Sequence, residues 1–391
     1  MRHLVFRRVT GFVAGVVVAA TTLAACSSSE PAAPPLPPPP PPKTETTSEA
    51  PAALADAHNV YAGAGANMFS DAAKAAKPLV YVPHAKSGDV WVIDPATFAV
   101  VGKYPAGKEI QHVVPSYDMN TLYATDDMAN HVLAFDPKTG LPGRQIPVTD
   151  PYNMYFTLDG KYAISVAEAR RQLVWYDPVS WAQRDVTPVP ECAGIDHADF
   201  SPDGQTAVFT CEFSGQIAVI DIPTHKVLRL VPMPQRHTHM GPQDIKLAPD
   251  GSVYYIADSD ANGVWVLDGA ATKVLRFIPT GMGAHGIYLS RDAERLFVTN
   301  RHDASVSVLN AYTGEVITKW KIPGGGSPDM GNVTADGTQL WLSGRYDRSV
   351  YVLSTKDGSL IRKIPVGDEP HGLCVWPQPG HYSLGHTGIT R

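Results

Sequence analysis

The chain has 391 residues, a formal net charge of −6, and 32 basic against 38 acidic side chains. These charges are spread without long runs, so the broad basic field that phosphate neutralisation requires is missing and nucleic acid is not an expected partner. A chain of this length fits either two or three ordinary domains or one β-rich repeat array, and periodicity decides between them.

Residues 1–25 read as an export signal, with Arg2, Arg7 and Arg8 ahead of an apolar stretch that ends in small residues before a cysteine. Leu23-Ala24-Ala25-Cys26 resembles the lipobox of bacterial lipoproteins. That resemblance implies that Cys26 is lipidated, becomes the new N-terminus and anchors the chain to the cell membrane, facing its extracytoplasmic side. A plain secretory peptide with a chance cysteine is the alternative, disfavoured because "SSS" and a proline tract follow at once. Residues 26–78 are expected to form a linker. Within it "PPLPPPPPPKTETT", from Pro34, favours a stiff polyproline II spacer, and "DAAKAAK" leaves room for a short helix.

From Leu79 the chain repeats. "VWVID" ends at Asp94, and its counterparts end at Asp136, Asp177, Asp221, Asp268, Asn310 and Ser354, at spacings of 42, 41, 44, 47, 42 and 44 residues. Alternating β-branched and aromatic residues make each a half-buried strand. A second strand precedes each copy ("LYATDD", "AVFTCE", "LFVTN") and a third follows it. Ahead of these lies another segment that ends in a tight turn such as "SPDGQ" or "TADGT". Four short strands per unit, seven times over residues 79–378, predict an all-β fold, a seven-bladed β-propeller. The array enters on a second strand and leaves on a first strand, "HGLCVWP". The N-terminal strands must therefore share a blade with the C-terminal one, which seals the ring and removes two exposed edges.

"LSRDAERLFVTNRHDASVSVLNAYTGEVI", from Leu289, resembles the repeat of YVTN-type, YncE-like propellers, which are similar to the haem d1 propeller of cytochrome cd1 nitrite reductases. The resemblance spans all seven repeats and implies the fold; it says little about activity, because one fold hosts many functions. The Gly-His and Trp-Asp signature of WD40 repeats is missing.

Seven and six positions before each tight-turn residue lie Gln111 and His112, Tyr152 and Asn153, Asp196 and His197, Gln243 and Asp244, His285 and Gly286, Asp329 and Met330, and His371 and Gly372. First strands are innermost in a propeller, so these positions are expected at the mouth of the central channel. Loops between second and third strands are expected to rim the same face with His84, Asp126, Glu168, Glu212, Asp258, Arg301 and Arg345, and "PQRHTHMGPQD" adds His237 and His239. Any wet channel needs polar residues to hydrogen-bond water. A histidine from four of the seven blades exceeds that need, and imidazole is the commonest metal ligand.

Since opposite blades are expected to stand too far apart to share an ion, His197 with His237, His239 or His285 is the expected ligand set for copper or zinc, with haem as the other cofactor choice. Cys192 and Cys211 flank one predicted hairpin and can pair as a disulfide in an exported chain, leaving Cys374 as a small buried residue. No GxSxG, HExxH, P-loop or dinucleotide motif is present. The expected function is therefore a membrane-anchored propeller that binds a small ligand or an extracytoplasmic partner protein at its channel mouth. The alternative is a metal- or haem-dependent oxidoreductase or cofactor-handling protein that uses the same histidines. The tail, residues 379–391, is expected to dock on the opposite face.

Overall fold

A computed structural model describes residues 59–235 and 240–391; the export signal, Cys26, the proline tract, His237 and His239 lie outside them. The described chain forms seven four-stranded antiparallel sheets. Blade one takes its inner strand from Cys374–Trp376 and its other three from Leu79–His84, Asp89–Asp94 and Ala99–Pro105. Leu79, Val80 and Tyr81 pair with Trp376, Val375 and Cys374, so the ring closes as the repeat count requires.

Burial falls outward along each blade. The inner strand Ile110–Pro115 of blade two is buried throughout, whereas its outer strand Leu141–Pro147 is mostly exposed. Apolar clusters fill the wedges between blades; one joins Tyr155, Trp175, Phe200 and Phe209 of blades three and four with Leu384 and Ile389 of the tail. Burying side chains of this size on both faces of a sheet supplies about 1.5–3 kcal/mol each relative to exposure, which holds neighbouring blades in register. Cys192 and Cys211 form a disulfide in blade four with their Cα atoms 5.1 Å apart, and Cys374 is buried and free.

The inner strands are not regular. In six blades the ladder to the second strand breaks at the pair positions picked out by the sequence, for example between Ile110 and Val113 and between Ile195 and Ala198. The same break falls in blades five, six and seven, and in blade three a break falls at Tyr152 alone, Asn153 staying paired with Val166. Each is a β-bulge, which leaves a backbone N–H without a ladder partner and re-aims the side chains beside it. A hydroxyl on the facing strand accepts the stranded N–H in four blades: Thr125 for His112, Thr210 for His197, Thr299 for Gly286 and Ser343 for Met330. The Thr or Ser of "LYATD", "AVFTC", "LFVTN" and "QLWLSG" thus has a mechanical task.

The segment before Leu79 also packs on the ring. Tyr61 donates to Leu247 O and Asp199 at the ends of inner strands, and Asp71–Lys74 forms the short helix expected there. The tail lies across the same end of the channel, where Phe156 N donates to Leu384 O and Arg391 donates to Asp199 and Phe200 O. It docks opposite the mouth and continues inward along the inner strands: Asn332 donates to Thr387 O and His386 N to Met154 O. The channel is thereby closed at one end.

Candidate functional site

The bulges turn His112, His197 and His285 inward, and His371, just ahead of the closing strand Cys374–Trp376, joins them. His112 of blade two and His197 of blade four meet with their Nε2 atoms 3.3 Å apart. The His112 ring is 4.8 Å from that of His371, which in turn lies 6.0 Å from His285, and His197 lies 6.3 Å from His285. Blades two and four thus bring their imidazoles into contact across the blade between them. Gly372 makes room for this approach, since a Cβ there would stand 2.1 Å from His112 Cδ2.

A fifth imidazole comes from the tail. His386 stacks on Tyr155, its ring is 4.8 Å from that of His197 and 5.5 Å from that of His112, and its Nδ1 lies 2.8 Å from Asn153 Nδ2. It belongs to no repeat, so register counting does not find it; the one signal was an unexplained Gly- and His-rich ending.

These side chains fall into two groups with ligand atoms mutually within 4.8 Å: His112, His197 and His386, and His285, Asp329 and His371. Their outward-facing atoms are held by neighbours. His112 Nδ1 donates to Tyr152 O at 2.9 Å, which leaves Nε2 with its lone pair. His371 Nδ1 donates to Gln111 Oε1 at 3.1 Å, with the same result. His197 Nδ1 is 2.7 Å from Asp196 Oδ1, and His285 Nδ1 is 3.0 Å from Asp329 Oδ1, both close in distance but poorly aligned for a hydrogen bond. Asp329 Oδ1 also takes Arg301 Nε at 3.0 Å and Nη2 at 2.5 Å.

Burial, with repulsion from neighbouring cationic groups, pushes His112, His285, His371 and His386 well below the usual imidazole range. His197 is lowered by burial as well, with Asp244 and Glu212 opposing. The rings are thus neutral, the form that binds metal. Burial and Asp244 push the Asp196 carboxyl well above its usual range.

Above the histidines opens a cavity of about 280 Å³, lined among others by Gln111, Glu168, Glu212, Gln243, Arg301 and Arg345. Burial first, then mutual repulsion among carboxyls, pushes Glu168 up to about 9 and Glu212 up to about 7. Other expected rim residues do not reach the channel. His84 bonds Asp89 O and accepts from Gly367 N, Asp126 accepts from Lys108, Glu109 and Ala129 N, and Asp258 accepts from Asp260 and Ala261 N and Trp265 Nε1. Each is engaged by backbone of its own hairpin, joined for His84 and Asp126 by N–H groups of an adjoining loop, because nearby backbone groups outcompete a distant axis. Asp244 accepts from Ile245 N and from Ile287 N of blade six, and so ties two blades together. Gln243 donates to Gly241 O beside the cavity.

Residues 235–379, which cover blades five to seven and the closing strand, match a family model described as YNCE-like beta-propeller. No curated protein matches the chain. Among solved structures, a functionally unknown protein from Desulfotomaculum acetoxidans is similar with a TM-score of 0.63 and 14% identity, over 77% of this chain and 100% of that one. The hydrazine synthase of Kuenenia stuttgartiensis aligns with a TM-score of 0.57 and 17% identity, over 66% of this chain and 87% of that one. The dihydro-heme d1 dehydrogenase NirN, solved in complex with DHE, aligns with a TM-score of 0.56 and 14% identity, over 80% of this chain and 77% of that one. At such identities the likeness is one of fold.

Proposed function

We propose that the chain is an exported, lipid-anchored β-propeller that binds a small anionic ligand at the mouth of its central channel. The observation that carries the reading is the mouth cavity, in which Arg345 Nη1 is buried and makes no hydrogen bond among the described residues. A buried donor without an acceptor is costly, and a carboxylate or oxyanion relieves that cost through charge-assisted N–H donation. Glu168, held up to about 9, stands there at neutral pH as a protonated donor and not as a competing negative charge. The anchor rests on the lipobox-like Leu23-Ala24-Ala25-Cys26.

A second reading, a metal- or haem-dependent oxidoreductase, draws on the buried imidazoles and on the fold shared with a dihydro-heme d1 dehydrogenase. A cavity of about 280 Å³ lies at the low end of the range for small-molecule sites. The residues fit a single ion better than a haem.

Calorimetric titration of the purified full chain with citrate, sulfate and phosphate is expected to give saturable one-to-one binding with at least one of them. In Arg345→Ala that affinity is expected to fall about tenfold or more, as loss of a charge-assisted pair implies. Equal binding by Arg345→Ala, or none by the parent, rejects the mouth site. Cys26→Ser is expected to move the protein from the membrane to the soluble fraction; retention on the membrane rejects the anchor.

A further inference from the structure

We infer that His112, His197 and His386 form a three-imidazole site for one late first-row transition ion, of the copper or zinc class, with the C-terminal tail supplying the third ligand. The inference deepens the reading of the channel as a binding site, placing an ion next to the mouth cavity.

Geometry carries it first. Zinc–imidazole bonds of about 2.0–2.1 Å at tetrahedral angles put the donor atoms about 3.3–3.4 Å apart. His112 Nε2 and His197 Nε2 already stand 3.3 Å apart. The most distant donors of the group lie within 4.8 Å, so closure around an ion needs a shift of about 1.5 Å at most. His386 can make it, because it sits on a segment that lies outside every named strand.

The proton arrangement points the same way. Tyr152 O only accepts, so the neutral His112 ring carries its proton on Nδ1 and presents a lone pair at Nε2. His197 Nδ1 stands 2.7 Å from Asp196 Oδ1, and its Nε2 is turned toward the His112 lone pair. At 3.3 Å the two Nε2 atoms stand where one hydrogen bond, or one shared cation, links them. Carboxylate and carbonyl partners on the outer nitrogens are also what metal-bound imidazoles need to fix tautomer and raise basicity.

Charge separates this group from its neighbour. Arg301 holds Asp329 Oδ1 through Nε and Nη2, which places a cation where the set of His285, Asp329 and His371 would receive an ion. Among the described residues no guanidinium or ammonium group hydrogen-bonds to His112, His197 or His386, and Arg345, Arg301 and Lys246 act on them only through space. Imidazole donors without thiolate suit zinc or copper over calcium or magnesium. Three protein ligands leave a fourth position, and His371 and His285, which line the mouth cavity, lie beside the His112 and His197 rings.

The test is titration of the chelator-stripped full chain with Zn(II) and with Cu(II), bound metal being counted by mass spectrometry after desalting. Co(II) serves as an absorption probe of tetrahedral nitrogen ligation. One ion per chain is expected. Affinity is expected to fall about a hundredfold or more in His197→Ala and in His386→Ala, and about ten- to a hundredfold in Asp196→Asn. Arg345→Ala, which impairs the mouth, is expected to keep the ion, so the two readings fail separately. Metal is also expected to protect the tail from limited proteolysis in the parent but not in His386→Ala. Should His197→Ala not fold, His386→Ala decides, since its ring lies on the tail. No bound ion in the folded parent, unchanged binding in His386→Ala, or binding that depends on His285 in place of His386 overturns the inference.

Discussion

In four blades a single hydroxyl helps decide where the channel side chains point. Thr210 accepts the His197 N–H and donates to His197 O, so it holds the bulge shut from across the hairpin. Thr210→Val keeps the shape and strands that N–H in a buried site. Unfolding in urea is expected to show a loss of about 1–3 kcal/mol, the cost of a buried unpaired polar group. Thr338→Val, on an exposed turn, is expected to cost less than half of that.

This hydroxyl also explains what could and could not be read from the letters. The strand runs and their tight turns recur at fixed offsets, so strand order, blade number and the pair positions were legible. Offsets give an angle around an axis but no radius. The approach of His112 to His197 depends on how tightly bulged strands crowd the centre, and Gly372 alone hinted at that. His386 was hidden because the tail repeats nothing. The misassigned His84, Asp126 and Asp258 failed for a local reason: a short acidic or imidazole side chain at a hairpin finds its own backbone first.

Among the strands and hairpins, blade four is the one fastened covalently. Its disulfide joins the approach to the inner strand with the end of the second strand, across 19 residues of sequence. In the chain-entropy account a loop of that size contributes about 3 kcal/mol by restricting the unfolded chain. Cys192→Ala with Cys211→Ala is expected to lower stability by about 2–4 kcal/mol in denaturant melts while leaving the other six sheets intact by far-ultraviolet circular dichroism. Loss of ion binding at His197 in the same variant would mark the disulfide as a support of the bulge beside it.

The ring as a unit gathers carboxyls that no single blade would place together. Glu168 comes from blade three and Glu212 from blade four, and their folded values of about 9 and about 7 lie above the ordinary 4.5. A raised carboxyl binds more protons folded than unfolded. Its stabilising share is therefore full below the unfolded value and is lost as pH rises through the folded one. Melting temperature is expected to fall between about pH 5 and pH 9, most steeply below about pH 7, where both carboxyls hold a proton only in the folded state, and Glu168→Gln with Glu212→Gln is expected to flatten the profile. A profile unchanged by the double substitution would assign the pH response elsewhere.

The strand Cys374–Trp376 completes a sheet begun by Leu79–His84, at the other extreme of the array. Six sheets can assemble from neighbouring hairpins as the polypeptide lengthens, but the seventh must wait for the final stretch to arrive. Such a distant pairing is slow, since loop closure precedes its reward. A nascent or truncated product would therefore persist as an open arc with bare edges, the form most exposed to self-association.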